Sequence, residues 1–390
     1  MLDILLPTLL LLLPVAAWSG YRIGRKRPGK GLPARRLPQG YFTGLNYVLN
    51  EEPDKAIDTF IEMLEVDSET VETHLALGNL YRRRGEVDRA IRIHQNLIAR
   101  PSLAGELRNL ALSELATDYM AAGLYDRAET LHQELLKDPT RKQDSLAALL
   151  TIYQQMKDWD KAINISEMIA ASKGTSQNHV IAHFYCEQAI DHKQSGNLKK
   201  AYEMLKKALS VDKDSVRASI LMGQFYQQEG KHKDAIKSYQ RLRSQDIAFL
   251  PEVLMDLIVC FRLVGGDKQL LKFLNECLEQ GAGVSVLLAV AQLLEAESKD
   301  EEAAKLIAGY LRDRPSLKGL EHLIKLHVQH SSGPAQDNLK LLHMLVIKLI
   351  DKKPVYQCIG CGFSGKTLFW HCPSCKEWDS IKPILGIEGE

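Results

Sequence analysis

Between Leu77 and Pro101 the chain reads LGNLYRRRGEVDRAIRIHQNLIARP, and the placing of its small residues decides the fold. Gly44 stands 34 residues before Gly78, Ala56 stands 34 before Ala90, and the same interval returns between Ala201 and Ala235. A period of this length predicts a stack of helix pairs, each burying its apolar face against its neighbours. Such an array offers a surface for holding partners rather than a pocket for chemistry. From Gly40 to Pro354 apolar residues recur at three- and four-residue spacing, broken briefly at Gly, Asp, Asn and Pro. That whole stretch is therefore expected to be helical, with no strand run.

The quoted unit places Leu77, Gly78, Tyr81, Gly85, Ala90, Leu97 and Pro101 in an order of small, aromatic, small, apolar and proline positions that resembles the tetratricopeptide consensus. Partial copies are Gly44, Tyr47, Ala56 and Phe60; Ala116, Tyr119, Gly123, Ala128, Leu135 and Pro139; and Tyr153, Ala162 and Ile169. Ala189, Gly196, Ala201 and Leu205 form another, then Gly223, Tyr226, Gly230, Ala235 and Tyr239, and later Ala291, Leu294, Ala303, Ile307 and Pro315. Residues 40–354 thus read as an all-α tetratricopeptide superhelical solenoid of about nine helix pairs, some degenerate. Small residues let the two helices of a pair approach closely, and the tyrosine fills the groove beside the next pair. From Leu250 to Ala282 and from Ser316 to Leu349 the helical period survives while the small positions blur, as in degenerate repeats or a hinge. His74, His94, His132, His183, His192 and His232 are scattered without metal spacing and are expected on the surface or filling grooves.

Of 390 residues, 45% are hydrophobic and 25% charged, the balance of a folded chain. Fifty basic against 49 acidic residues give a net charge of +1, which exerts no global pull on nucleic acid. The one basic cluster follows an uncharged apolar run from Ile4 to Tyr21. Eighteen helical residues reach roughly 27 Å, close to the hydrocarbon thickness of a bilayer. Asp3 precedes this run, whereas Arg22, Arg25, Lys26, Arg27, Lys30, Arg35 and Arg36 follow it. A cleaved signal peptide carries its charges in the opposite order, so an uncleaved transmembrane anchor is expected over residues 1–21. The positive-inside rule then puts the N-terminus outside and the bulk of the chain in the cytoplasm. Residues 22–39, rich in Arg, Lys, Pro and Gly, read as a basic juxtamembrane linker that sets topology and is placed to meet anionic headgroups.

Residues 355–390 change character. Aromatic residues gather around two Cys-x-x-Cys pairs, Cys358 with Cys361 and Cys372 with Cys375. Each pair is expected to fold into a tight knuckle, the two together presenting four thiolates to one tetrahedral ion. Gly362 suits the turn after the first pair, whereas Lys376 replaces the usual glycine after the second. Disulfides are disfavoured by the cytoplasmic orientation, and a thioredoxin-type dithiol would need a strand-to-helix setting that is missing here. A structural metal site remains, with zinc favoured over iron on ligand softness and availability. So short a segment has little apolar core, so the metal is expected to supply much of its folding free energy. Cys186, Cys260 and Cys277 lie singly in helical patterns and read as buried small hydrophobes. No nucleophile motif, phosphate loop or acid and base pair is present, so the chain is not expected to be an enzyme.

The run Cys358-Ile359-Gly360-Cys361-Gly362, followed by Cys372-Pro373-Ser374-Cys375, resembles a shortened rubredoxin. In the order anchor, repeats and knuckle tail, essentially the whole chain resembles the lipopolysaccharide assembly protein B family of Gram-negative bacteria. That resemblance implies a single-pass inner-membrane adaptor with its N-terminus periplasmic. It also implies partners: the membrane protease FtsH, the committed deacetylase of lipid A synthesis that is led to it, and lipopolysaccharide synthesis and transport proteins. Of the family's functional residues only Cys358, Cys361, Cys372 and Cys375 carry over, as ligands of one metal ion. The competing reading is a membrane-tethered, rubredoxin-like iron protein for electron transfer. A nucleic-acid-binding ribbon is excluded by charge, since Lys366, Lys376 and Lys382 face Glu377, Asp379, Glu388 and Glu390.

Overall fold

A computed structural model of the chain describes Trp18 and residues 39–66, 71–101 and 103–390. The expected anchor, residues 1–21, and the basic linker, residues 22–39, lie outside the described residues apart from Trp18 and Gln39. Among the described residues no helix is long and apolar enough to cross a membrane. The chain divides between Ala128 and Glu129 into two compact units. The first contains α1 (Gln39–Leu49), α2 (Pro53–Val66), α3 (Val71–Arg83), α4 (Val87–Ile98) and α5 (Gly105–Ala121). The next helix, α6 (Tyr125–Leu135), runs across the division. The second unit continues with α7 (Lys142–Met156), α8 (Trp159–Lys173), α9 (Asn178–Gln194), α10 (Leu198–Val211), α11 (Val216–Gln228), α12 (His232–Gln240) and the single turn α13 (Leu242–Gln245). After a 3-10 segment, Ile247–Val253, come α14 (Leu254–Leu263), α15 (Asp267–Glu279), α16 (Val284–Ala296), α17 (Asp300–Asp313), α18 (Leu317–Gln329) and α19 (Pro334–Ile350).

Local chemistry sets where these helices begin and end. Asp158 and Asn197 cap α8 and α10, their side chains accepting the backbone N–H of Lys161 and Lys200. Each cap satisfies one of the donors that a helix start leaves over. Gly85, between α3 and α4, takes φ +81°, and Gly230, between α11 and α12, takes φ +72°, left-handed turns that a glycine makes without steric cost. Between α7 and α8 the turn is made by Lys157, at φ +56°.

The small residues of the period turn out to be sockets for rings. A β-carbon on Gly44 would come within 2.6 Å of the Phe60 ring, on Gly78 within 2.4 Å of His94, and on Gly223 within 2.3 Å of Tyr239. In all three cases the ring stands 16 residues downstream, on the second helix of the pair. Close approach of the helices is thus real, and it is set by a side chain inserted against bare backbone. The matching small residues of the second helices, Ala56, Ala90, Ala201 and Ala235, are fully buried. So are Cys186, Cys260 and Cys277, as expected of small apolar groups.

The two blurred stretches have different causes. Before α14 an extra piece is inserted, α13 and the 3-10 segment, which carries Pro251, a residue with no N–H to donate, inside it. Phe249, Leu250 and Val253 of this piece are fully buried and belong to an apolar cluster that runs on through α14, α15 and α16. Leu368 and Trp370, from the cysteine-rich tail, pack against the same cluster. The second blur, α18 and α19, comes from the last helix itself. Only Val346 of α19 is buried, while Leu341, Met344 and Leu345 are 55%, 54% and 50% exposed.

The tail forms a small three-stranded antiparallel sheet in the order β2-β1-β3, made of β1 (Tyr356–Cys358), β2 (Ser364–Gly365) and β3 (Ile381–Pro383). Tyr356 pairs with Gly365 on one side and with Pro383 on the other. The described chain is therefore a tetratricopeptide-type helical array followed by a small ribbon.

Candidate metal centre

Cys358 ends β1, and the chain then turns at once: the Gly362 N–H donates to the Cys358 carbonyl at 3.0 Å with Gly362 at φ +78°. The second knuckle repeats this turn, the Lys376 N–H donating to the Cys372 carbonyl at 3.0 Å. Lys376 occupies the left-handed region, at φ +62°. The missing glycine therefore does not abolish the turn; a lysine bears the conformation at some cost. Asp379, four residues after Cys375, is left-handed too, at φ +55°.

The two turns bring the four sulfurs to within 4.8 Å of one another. Cys358 Sγ lies 3.7 Å from Cys375 Sγ, and Cys361 Sγ lies 3.7 Å from Cys372 Sγ. A tetrahedral ion with metal–sulfur bonds of about 2.3 Å would hold its sulfurs about 3.8 Å apart, so the residues present fit the ion. Outer contacts are in place as well. The Cys361 N–H points at Cys358 Sγ from 3.5 Å, and the Ser380 hydroxyl lies 3.3 Å from the same sulfur. The Ser380 hydroxyl and the Cys361 N–H hold the Cys358 thiol down at about 6, which favours the thiolate that a metal ligand must be. The Phe363 N–H pulls the Cys361 thiol down likewise. For Cys375 the Glu377 N–H acts in the same direction, but burial and the sulfurs of Cys372, Cys358 and Cys361 outweigh it and push this thiol up to about 12. Four thiolates at such spacing repel one another, and a bound cation is what removes that conflict. Glu377 closes the site on one side, its carboxylate occupying the space where a β-carbon on Gly360 would sit.

The ribbon also has a seat on the helices, which sequence reasoning missed. Tyr356 donates its hydroxyl hydrogen to Glu252 of the 3-10 segment, and Lys382 lies 3.5 Å from Asp246. Trp370 stacks on Phe249, with ring centres 5.5 Å apart. His183, expected only to fill a groove, is buried in α9 and stacks on Trp378 at 5.2 Å. Burial, with Arg217 adding to it, holds the His183 imidazole well below its usual range and hence neutral. The one local sign is that Arg217 stands between the apolar Val216 and Ala218; the structure buries it, a position that a charge occupies only when it has partners. To the folding free energy expected from the metal these contacts add a second contribution, because part of the tail's apolar surface is buried against the array.

The remaining histidines make no second centre. His94 is fully buried and its Nδ1 lies 2.5 Å from Asp118 Oδ2, while Arg82 Nη1 donates to Asp118 Oδ1 at 2.6 Å. Among the described residues the four cysteines are the one cluster with metal-ligand geometry.

Comparison with known proteins agrees with this division. The family described as rubredoxin metal binding domain matches residues 356–383, and tetratricopeptide repeat families match residues 73–103 and 193–248. Lipopolysaccharide assembly protein B of Escherichia coli (strain K12) is 42% identical over 388 residues, covering 99% of this chain and 100% of that protein. Its namesake from Haemophilus influenzae is 35% identical over 392 residues, covering 97% and 98%. Among solved structures, a tetratricopeptide repeat protein from Parabacteroides merdae covers 79% of this chain and 100% of its own at 13% identity, with a TM-score of 0.34.

Proposed function

This chain belongs to the lipopolysaccharide assembly protein B family, and we propose that it is an inner-membrane adaptor, not an enzyme, that sets lipopolysaccharide levels by leading the committed lipid A deacetylase to the protease FtsH. The observation that carries this reading is the relationship along the full length, 42% identity over 99% of the chain, to a protein named for lipopolysaccharide assembly. The helical array supplies the extended surface that an adaptor needs. In this reading residues 1–21 are a single-pass anchor with a periplasmic N-terminus, and the bulk of the chain is cytoplasmic. Tethering raises the local concentration of array and membrane-bound protease, so weak contacts suffice. Lipopolysaccharide synthesis and transport proteins are further partners, and nucleic acid is not.

Cys358, Cys361, Cys372 and Cys375 hold one metal ion, which in our reading is zinc. Bound there, it ties the two knuckles together and neutralises their thiolates. Iron is the second reading, favoured by the same 3.7 Å sulfur spacing. Aerobically purified protein decides between them: strong visible absorbance indicates an iron–thiolate centre, whereas a colourless protein containing one zinc supports ours.

The adaptor reading is tested by affinity capture from solubilised membranes. Intact protein is expected to bring down both FtsH and the deacetylase, and the form with all four cysteines changed to serine to lose at least one of them. Removal of residues 1–21 is expected to leave a folded protein whose cells accumulate the deacetylase. Undisturbed deacetylase turnover in those cells would sink the role given to the anchor.

A further inference from the structure

Two tryptophans flank the second knuckle, and both reach out of the ribbon. Trp370, two residues before Cys372, lies nearly parallel to Phe249, at 19° and 5.5 Å. Trp378, three residues after Cys375, is sandwiched between His183 of α9 at 5.2 Å and His371 at 4.6 Å, and it meets Phe184 edge-on at 5.6 Å. Arg217 of α11 serves both rings, its guanidinium 6.0 Å from the Trp370 ring and 5.9 Å from the Trp378 ring. Glu187 of α9 fixes that guanidinium, accepting from Nη2 at 2.7 Å.

We propose that filling of the four-thiolate site and seating of the ribbon on α9, α11 and the 3-10 segment are one coupled equilibrium. Arg217 is then a positioning residue for the metal, and loss of the ion lifts the second knuckle off the helices.

The coupling follows from what ties this loop to its surroundings. The three strands lie outside it, ending at Gly365 and resuming at Ile381, and its own order is local: the isolated His371–Trp378 bridge, and the Cys372 and Asp379 N–H groups donating to the Glu377 and Trp370 carbonyls at 2.9 Å each. The metal fixes the loop from one side, through Cys372 and Cys375, and the seat fixes it from the other, through Trp370 and Trp378. Ordering the segment costs entropy once, so whichever contact forms first makes the second easier. The seat is not self-sufficient. Arg217 Nη1, His183 Nδ1 and Trp378 Nε1 are buried there without a hydrogen-bond partner among the described residues. Each such group opposes closure, so the stacked rings need the metal clamp to hold them down. Reciprocity then requires that damage to the seat weaken metal retention by the same factor that metal loss weakens seating.

This inference rests on the metal-site reading and on no partner. It is tested with full-length protein in detergent, loaded with zinc(II), by following zinc release to excess chelator and indole emission together. Arg217→Met keeps the bulk of the side chain and removes its charge; it is expected to bind one zinc about fivefold more weakly or worse, and so to release it more readily to chelator. Glu187→Gln, which loosens the guanidinium without touching either ring, is expected to shift release in the same direction by less. Stripping zinc from the parent is expected to move indole emission to longer wavelength, and that shift is expected to vanish in the Trp370→Phe, Trp378→Phe double variant. Unchanged release from both Arg217→Met and Glu187→Gln, with helix content intact, overturns the coupling. Zinc stripping without any emission change overturns it equally. A parent protein that binds no zinc overturns the metal reading itself, which is a separate and recognisable result.

Discussion

A single β-carbon is the unit in which this array is specified. At Gly223 it would lie 2.3 Å from the Tyr239 ring, whereas at Gly309, inside α17, it would meet nothing within 4 Å. Gly223→Val is therefore expected to lower stability by about 1–3 kcal/mol through overpacking. Gly309→Ala is expected to raise it by about 0.5–1 kcal/mol, because helical glycine has more freedom to lose. Urea unfolding of the two variants checks both signs, and equal effects would contradict the socket. The glycines were legible in the sequence because a small residue at a fixed interval is a local signal. The rings that fill the sockets were less so: Phe60, His94 and Tyr239 share a position but not a chemistry, and His94 gave no hint of its contact with Asp118.

At the level of elements, the second knuckle shows what a motif can and cannot tell. The two Cys-x-x-Cys pairs announced four converging sulfurs, because each turn is built from neighbouring residues. The cost of the second turn was visible only as a departure from glycine, and the structure locates it in Lys376 at φ +62°. Lys376→Gly is expected to stabilise the knuckle by about 1 kcal/mol. The lysine's exposed contact with the Pro373 carbonyl, lost in that variant, offsets little of this gain. A higher chelator concentration for half-release of metal is the observation to look for, and a lower one would show that the side-chain contact matters more than the backbone. The 3-10 segment was illegible for the opposite reason. Nothing near Phe249 indicates that Trp370, far along the chain, will stack on it.

For the whole molecule the relevant quantity is resistance to acid. His132 is buried with neither ring nitrogen partnered among the described residues, and burial pushes its pKa from 6.5 to about 4. Burial lowers His183 in the same direction. A folded-state pKa below the unfolded value means that the unfolded chain takes up the proton first. Stability is then full above pH 6.5 and falls as the pH drops towards 4, by at most on the order of 3 kcal/mol for His132. His132→Leu is expected to flatten that loss, read as the difference in urea midpoint of the helical signal between pH 7.5 and pH 5; an unaltered difference would assign the acid sensitivity elsewhere. Fold class and sulfur cluster were thus readable from short-range pattern, whereas burial of particular histidines and the seat of the ribbon depend on contacts between distant segments. The sockets carry one more consequence. Two of the three inserted rings are read by other side chains, His94 by Asp118 and Tyr239 by Gln227, while Phe60 offers no polar group, so a regular spacing conceals joints that are individually keyed. Copies of the repeat are therefore not interchangeable parts: transplanting one unit into another's place would preserve the interval and still leave a lock without its key.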